Sequence, residues 1–186
     1  MSVLSRLLNR TPPERGLVIE PMRRRDLTAI QVIERQVYPQ PWSVNVFANE
    51  IEMARQGHRY YICAHRDGLL VGYGGMMIVA DEAHITNIAA DPVRQREGVG
   101  RRVLAEMAWE ARYRHCVGLT LEVRISNVAA QSLYHLFGFE PAGVRQRYYE
   151  NVEDAIVMWC HNIDSDDYAD RLRLLSPETK PRGSRR

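Results

Sequence analysis

A glycine-containing loop between an apolar segment and an amphipathic segment places the strongest constraint on the fold. Residues 83–90 form a short, mostly apolar run that Asp91-Pro92 ends, which is typical of a buried strand. Residues 100–114 repeat apolar side chains at helical spacing. The loop between them reads Gln95-Arg96-Glu97-Gly98-Val99-Gly100-Arg101. A strand, a loop and a helix in this succession predict an α/β sheet.

The two glycines of this loop also predict an anion site. Glycines at the start of a helix allow backbone N–H groups to converge on an anion, because no Cβ obstructs them. The loop is not a Walker loop, because no Gly-Lys-Ser/Thr follows it, and Val103 stands where a dinucleotide fingerprint has its third glycine. Taken alone, the same glycines are equally compatible with a simple tight turn.

Hydrophobic periodicity elsewhere in the chain predicts the other elements of a mixed sheet. Asp67-Gly68 separates two aromatic and branched runs and favours a hairpin, while Asp26 and Ser43 stand where helix N-caps are expected. Strands are predicted over 17–20, 59–66, 69–80, 83–90, 117–123, 144–149 and 154–160, and helices from Leu27, from Val44, over 100–114 and over 127–136. This order predicts an α/β (α+β) fold with a mixed central sheet of six to seven strands and about four helices on its faces.

The length of 186 residues fits one domain with a short extension at each end. We expect residues 1–16 to be a flexible basic leader and residues 17–163 to be the folded domain. Residues 164–186 begin acidic and finish basic, and they are interpreted as a charged, solvated C-terminal tail. A partner-binding helix around Tyr168–Leu175 is the alternative for this stretch.

Composition excludes several functional classes. The formal net charge of +2 creates no field that would imply direct contact with nucleic acid or a membrane surface. The uncharged apolar run 68–80 is shorter than the ~20 residues that cross a bilayer, and arginines interrupt the leucines near the start, so a cytoplasmic location is expected. Cys63, Cys116 and Cys160 lack metal-ligand spacing, which predicts reduced thiols and no metal site.

The pattern Gln95-x-x-Gly98-x-Gly100 resembles the coenzyme A pyrophosphate loop of the GNAT family of N-acetyltransferases. The resemblance extends from Leu17 to Cys160 and includes the order of the predicted elements. Further short motifs are similar to those of the bacterial ribosomal-protein-alanine N-acetyltransferases within that family: Pro41-Trp42-Ser43, Asn87-Ile88-Ala89-Ala90-Asp91-Pro92, Leu121-Glu122-Val123-Arg124, Ser126-Asn127, Leu133-Tyr134, Gly138-Phe139, Tyr148-Tyr149 and Glu153-Asp154-Ala155.

The resemblance implies acetyl-CoA as co-substrate and assigns its binding residues. In the family, the strand ending at residues 88–90 separates from the strand that carries Glu122, and the exposed backbone binds the pantetheine arm and the acetyl carbonyl. The glycine loop would hold the pyrophosphate, and Asn127 and Tyr134 would lie near the thiol. The residues implied in acetyl-CoA binding are therefore Ile88, Ala89, Ala90, Gln95, Arg96, Glu97, Gly98, Val99, Gly100, Arg101, Asn127 and Tyr134.

The resemblance also implies a general base and a general acid. A protein α-amine has a pKa near 8 and must lose a proton before it attacks the acetyl group directly. Glu122 would accept that proton, and its otherwise apolar strand is expected to raise its pKa by desolvation. Tyr134 would protonate the departing thiolate. A cross-strand salt bridge is the alternative role for Glu122, and core packing is the alternative role for Tyr134.

The implied acceptor is a protein N-terminal α-amine, specifically the N-terminal alanine of a small-subunit ribosomal protein. Trp42 and Tyr148-Tyr149 resemble elements that close over the acceptor peptide, and Glu153 could attract its charged groups. The turn between Tyr149 and Glu153 is short and lacks the usual proline or glycine, so a lysine side chain or a small amine is an alternative acceptor. A non-catalytic acyl-CoA-binding module is the alternative of another class. The oligomeric state is left open.

Overall fold

The computed structural model describes residues 16–179, and the predicted leader up to residue 15 lies outside the described residues. Seven strands form one mixed sheet in the order β1-β2-β3-β4-β5-β7-β6. The strands are β1 (Leu17–Pro21), β2 (Arg59–Arg66), β3 (Leu69–Val79), β4 (Glu82–Ala90), β5 (Gly118–Arg124), β6 (Glu140–Tyr149) and β7 (Glu153–His161). The prediction of a mixed sheet of six to seven strands is confirmed.

Five α-helices accompany the sheet: α1 (Leu27–Val37), α2 (Val44–Arg55), α3 (Val99–Tyr113), α4 (Val128–Leu136) and α5 (Asp166–Leu175). Ser43 caps α2 as expected, because its hydroxyl accepts a hydrogen bond from the N–H of Val46 at 3.4 Å. Asp26 precedes α1, but its carboxylate accepts the N–H of Arg23 at 2.8 Å instead and closes a short 3-10 turn.

Every neighbouring pair of strands is antiparallel except β4 and β5. A parallel pair needs a crossover, and α3 provides it. Helix α3 packs on β3, where a Cβ on Gly74 would lie only 2.5 Å from a methyl group of Val103. A glycine is therefore required at this close approach of helix and sheet.

The apolar side chains form two clusters, one on each face of the sheet. The larger cluster includes α3 residues such as Leu104 and Met107. The smaller cluster includes Ile30 of α1, Phe47 of α2 and Tyr73 of β3. Helix α1 packs on β3 and β4, and α2 packs on β2. Glu122 of β5 lines a cavity together with the loop between these two helices.

The C-terminal stretch contradicts the interpretation of a solvated tail between residues 166 and 175. It forms α5, which Ser165 caps by accepting the N–H of Tyr168 at 3.2 Å. Tyr168, Leu172 and Leu175 are buried in the larger cluster. Their helical spacing places them on one face, so the charges that dominate the stretch lie on the other. The alternative helix exists, but it packs against the chain's own core.

Within residues 16–179, no helix is both long and apolar enough to cross a membrane. Cys63, Cys116 and Cys160 are buried and unpaired. The same described part of the chain contains no cluster of three or more His, Cys, Asp or Glu side chains able to hold a metal ion.

Candidate active site

A cavity of about 710 Å³ lies where the α1–α2 loop, β4, β5, α4 and the β6–β7 turn meet. Among the predicted site residues, Ile88, Glu122, Asn127 and Tyr134 line this cavity. The predicted acceptor residues Trp42, Tyr148 and Tyr149 line it as well. The cavity lining does not include Ala89 and Ala90, which end β4, or the loop 95–101, which leads into α3.

The cavity exists because β4 and β5 separate along their length. Their parallel pairing runs from Glu82 opposite Gly118 to Ile85 opposite Leu121 and ends there. An irregularity in the register between β3 and β4 lies at the same level, beside Thr86. The backbone of β4 from residue 86 onward is therefore not paired with β5, which leaves a slot between Ile88 and Glu122.

Two polar side chains in this slot were not assigned a role from the sequence. The Tyr38 hydroxyl donates a hydrogen bond to the carbonyl oxygen of Ile88 at 3.0 Å and so occupies one of the backbone groups expected to bind the pantetheine arm. The side-chain amide of Asn87 lines the cavity, and both its polar atoms are buried without a hydrogen-bond partner in the described part of the chain. Buried amides normally have partners, so Asn87 fits a site that a polar ligand fills.

The glycine loop has the backbone geometry of an anion site. Gly98 is the N-cap of α3 with φ of +85°, and Arg96 also has a positive φ, +68°. The N–H groups of Val99 and Gly100 belong to the first turn of α3, which has no acceptor within the helix, and they face the loop. A Cβ on Gly100 would lie 3.4 Å from Leu133 of α4, so the first turn of α3 lies close to the second half of α4.

Glu122 lies almost fully inside the cavity, with 7% of its side chain exposed. Its two oxygens have different partners: Oε2 is 3.0 Å from His84 Nε2, and Oε1 is 3.0 Å from Arg145 Nη2. Its backbone carbonyl accepts a hydrogen bond from the Tyr149 hydroxyl at 3.0 Å. The salt bridge considered as the alternative role is present, and it holds the carboxylate facing the slot.

Tyr134 is buried, and its ring is tilted against that of Phe139 with the centroids 5.8 Å apart. Burial raises its pKa above the ordinary phenol value, and proximity to Tyr149 raises it further. The hydroxyl therefore stays protonated through the neutral range and can act as a proton donor. Core packing and a place at the cavity wall are both observed for this residue.

Two polar side chains of α1 fix the backbone of Trp42, which the sequence did not predict. The Trp42 N–H donates to Glu34 Oε2 at 2.7 Å, and its carbonyl accepts from Gln31 Nε2 at 2.6 Å. The buried Glu34 also accepts a hydrogen bond from the Tyr73 hydroxyl. Desolvation raises the pKa of Glu34 in spite of these two bonds. The α1–α2 loop is thereby tied to the sheet.

Arg124 organises the opposite wall. Its guanidinium lies 4.1 Å from the ring centroid of Tyr149 and pairs with Glu150 at 2.6 Å and with Glu153 at 3.0 Å. Glu153 also accepts the N–H of Ser126 at 3.0 Å. The hydrogen bonds with Ser126, followed by those with Arg124, lower the pKa of Glu153. These contacts show Glu153 closing the hairpin turn, not standing free to attract an acceptor.

Comparison with known proteins identifies the family. The model of the acetyltransferase (GNAT) family matches residues 27–139. The chain belongs to the GNAT family. Its expected class, an acyltransferase enzyme, is confirmed with this membership.

A relative named [ribosomal protein bS18]-alanine N-acetyltransferase from Escherichia coli is 38% identical over 144 residues, which cover 75% of this chain and 94% of the relative. The crystal structure of the ribosomal-protein-S18-alanine N-acetyltransferase from Escherichia coli superposes with a TM-score of 0.71 at 34% identity, covering 78% of this chain and 94% of that one. A more distant structure from Salmonella typhimurium, described with its cofactor acetyl-CoA, has a TM-score of 0.69 at 16% identity and covers 82% and 96% of the two chains. At that identity the likeness shows the fold alone.

Proposed function

We propose that this GNAT enzyme transfers an acetyl group from acetyl-CoA to a protein N-terminal α-amine, with the N-terminal alanine of ribosomal protein bS18 as its acceptor. The observation that carries this proposal is the position of the buried Glu122 carboxylate beside the slot between β4 and β5. The named relative and the superposed structure, each above 30% identity, support the choice of acceptor.

The chain's own groups provide a binding path for acetyl-CoA. The N–H groups of Val99 and Gly100 bind the pyrophosphate, because a helix N-terminus carries about half a positive charge. The edge of β4 that is not paired with β5 and the amide of Asn87 bind the polar groups of the arm, while the Ile88 carbonyl stays bonded to Tyr38. Asn127 is the N-cap of α4, because its side-chain oxygen accepts a hydrogen bond from the N–H of Ala130 at 3.1 Å. Its amide lies in the cavity lining, where it contacts the thiol end of the pantetheine arm.

Glu122 and Tyr134 divide the proton transfers. The acceptor ammonium loses one proton to Glu122, directly or through a water molecule, and the neutral amine then forms the C–N bond. As the thioester C–S bond breaks, Tyr134 gives its proton to the departing sulfur, and the second amine proton, lost from nitrogen in the same step, restores the Tyr134 hydroxyl. The products are an acetamide, the free thiol of coenzyme A and one proton.

The acceptor peptide enters between two walls that the described contacts hold in place. Glu34 and Gln31 fix Trp42 on one side, and Arg124 fixes Tyr149 on the other. Aromatic side chains on both sides provide apolar contact for the first residues of a peptide. Glu122 lies between these walls and so faces the terminal amine.

Thiol release from acetyl-CoA with three peptides tests the proposal. The first is a hexapeptide beginning Ala-Arg-Tyr, the second is the same peptide with a blocked N-terminus and an internal lysine, and the third has a blocked N-terminus and no lysine. Turnover on the first peptide alone is expected. Turnover through the lysine would contradict the acceptor, and binding of acetyl-CoA without turnover on any amine would indicate a binding module instead.

A further inference from the structure

We propose that His84 acts through Glu122 as a proton-relay residue, receiving the proton that Glu122 takes from the acceptor amine and releasing it to solvent. This inference rests on the proposed function, because it concerns the same transfer. It assigns a role to a histidine that the sequence analysis left without one.

The sheet geometry brings His84 and Glu122 together. His84 of β4 is registered opposite Thr120 of β5, and Glu122 follows two residues later on the same face of β5. The imidazole Nε2 is 3.0 Å from Glu122 Oε2, which is a hydrogen-bond distance. Both side chains line the cavity. A proton can therefore pass between them without movement of the backbone.

Exposure gives the relay a direction. Only 7% of the Glu122 side chain is accessible, whereas 26% of the His84 side chain is. A carboxyl group enclosed by peptide and acetyl-CoA would have no route for returning its proton to water. His84 provides that route, because it contacts the carboxylate and 26% of its side chain is accessible. Imidazole is suited to the task since it ordinarily changes charge between about pH 5 and 8.

The surroundings leave Glu122 as the group that His84 contacts directly. β3 and β5 place the uncharged Met77 and Thr120 opposite it. Arg145 of β6 lies on the other oxygen of Glu122 and covers the ring of Tyr148 at 5.4 Å. The other charged or titratable side chains that line the same cavity are Glu34, Tyr38, Arg124, Tyr134, Tyr149 and Glu150. Further groups on neighbouring elements include Glu82 on β4, the Glu50–Arg59 ion pair of α2 and β2, Tyr61 of β2, and His161 of β7.

The proton balance is complete with these residues. Oε1 keeps its pair with Arg145 while Oε2 accepts a proton from the ammonium. Neutral His84 with its hydrogen on Nδ1 has a lone pair on Nε2, which takes that proton across the 3.0 Å contact, and the resulting imidazolium releases one proton to water. The second amine proton replaces the one that Tyr134 gives to sulfur and does not use this route.

The experiment compares His84→Gln and His84→Ala with the wild-type enzyme, using the Ala-Arg-Tyr peptide and acetyl-CoA. We measure kcat and kcat/KM from about pH 5 to about pH 9, which includes the range in which an imidazole ordinarily changes charge. A fall in kcat of roughly 10-fold to 10²-fold is expected, with a changed acid limb of the profile. His58→Gln, at an exposed position away from the cavity, serves as the matched control.

Chemical rescue separates a relay from a packing role. Imidazole added to His84→Ala is expected to restore turnover in proportion to its free-base concentration. Pyrazole has the same shape and is a much weaker base, so it should not restore turnover. Equal rescue by pyrazole, or a His84→Gln variant with the wild-type rate and pH profile, would overturn the relay.

Failure of the relay and failure of the proposed function give different results. Calorimetric binding of acetyl-CoA is expected to be the same for the wild type and both His84 variants, which also shows that the variants are folded. If the wild type binds acetyl-CoA but acetylates no amine, the proposed function fails and the relay fails with it. If the wild type acetylates the peptide and His84→Gln does so equally well, only the relay is wrong.

Discussion

Arg66, at the end of β2, forms an ion pair with Glu97 in the loop that precedes α3. Arg94 lies 3.6 Å from the other oxygen of the same carboxylate. Glu97 is an unfavourable residue beside a pyrophosphate, because its charge would repel the ligand. The two arginines balance that charge and hold the carboxylate to one side of the loop.

We therefore predict that Arg66→Gln weakens acetyl-CoA binding by about tenfold, or about 1.4 kcal/mol. The reason is an uncompensated Glu97 beside the phosphates. The double variant Arg66→Gln/Glu97→Gln should recover most of the loss, because it removes both charges. Calorimetry measures the acetyl-CoA affinity of the wild type, the single variants and the double variant. If the double variant binds acetyl-CoA as weakly as Arg66→Gln does, Arg66 acts independently of Glu97.

Glu122→Gln should lower kcat by ~10²-fold or more while the KM for acetyl-CoA changes little. Glutamine keeps the shape of the side chain and can still accept a hydrogen bond, but it cannot take a proton from the acceptor. Glu140→Gln, at an exposed position on β6, is the matched control. Steady-state kinetics on the Ala-Arg-Tyr peptide provide the measurement, and unchanged turnover across the pH range would remove Glu122 from the mechanism.

Tyr134→Phe should lower kcat toward the smaller end of the ~10²-fold to 10⁴-fold range of acid–base catalysis, because a thiolate is already a fair leaving group. Burial raises the pKa of Tyr134, so the loss should be similar at every pH at which the α-amine reacts. Tyr113→Phe, at an exposed position, is the control. A loss of activity that instead follows a fall in melting temperature would favour a packing role alone.

Local sequence patterns predicted the elements that have at least one buried face. Residues 59–66 were predicted as a strand and form β2 with the same bounds, and Asp67 and Gly68 both have positive φ in the turn that follows. β6 was predicted only from residue 144, yet it begins at Glu140. It is an exposed edge strand, so no apolar alternation marks its first half.

The polar contacts of the site could not be predicted, because they join residues far apart in the sequence. Tyr38 and Ile88 are 50 positions apart, and Glu34 and Tyr73 are 39 apart. A motif shows which residues are available, but the sheet order determines which of them meet. His84 lies near Glu122 only because β4 and β5 are neighbouring parallel strands.

Glu34→Gln should raise the KM for the peptide several-fold and leave the KM for acetyl-CoA unchanged. Its carboxylate accepts the Trp42 N–H at 2.7 Å, and the amide would present a donor or a weaker acceptor there. The acceptor loop would then be held less firmly. Equal changes in both KM values would indicate general disruption, and Glu52→Gln, on the exposed side of α2, controls for loss of a surface carboxylate.

The same residue should make stability depend on pH. Burial raises the pKa of Glu34, so the folded protein keeps this proton at a pH where the unfolded chain has lost it. Its contribution to the free energy of unfolding is therefore greatest below the ordinary carboxyl pKa and is lost as the pH rises through the raised value. Urea unfolding at several pH values should show the wild type losing stability relative to Glu34→Gln as the pH increases. A constant difference would contradict the assignment.

Leu172→Ala should destabilise the whole domain, because α5 is part of the core. Leu172 is fully buried in the larger apolar cluster, and Arg112 of α3 donates a hydrogen bond to the carbonyl of Ser165 at 2.6 Å where α5 begins. Truncation of a buried leucine costs about 2–5 kcal/mol. Leu174→Ala, two residues further along the same helix and 64% exposed, should change stability by less than about 0.5 kcal/mol. Denaturant unfolding of both variants gives the two changes in the free energy of unfolding. If the loss for Leu172→Ala is as small as that for Leu174→Ala, α5 does not contribute to the stability of the domain.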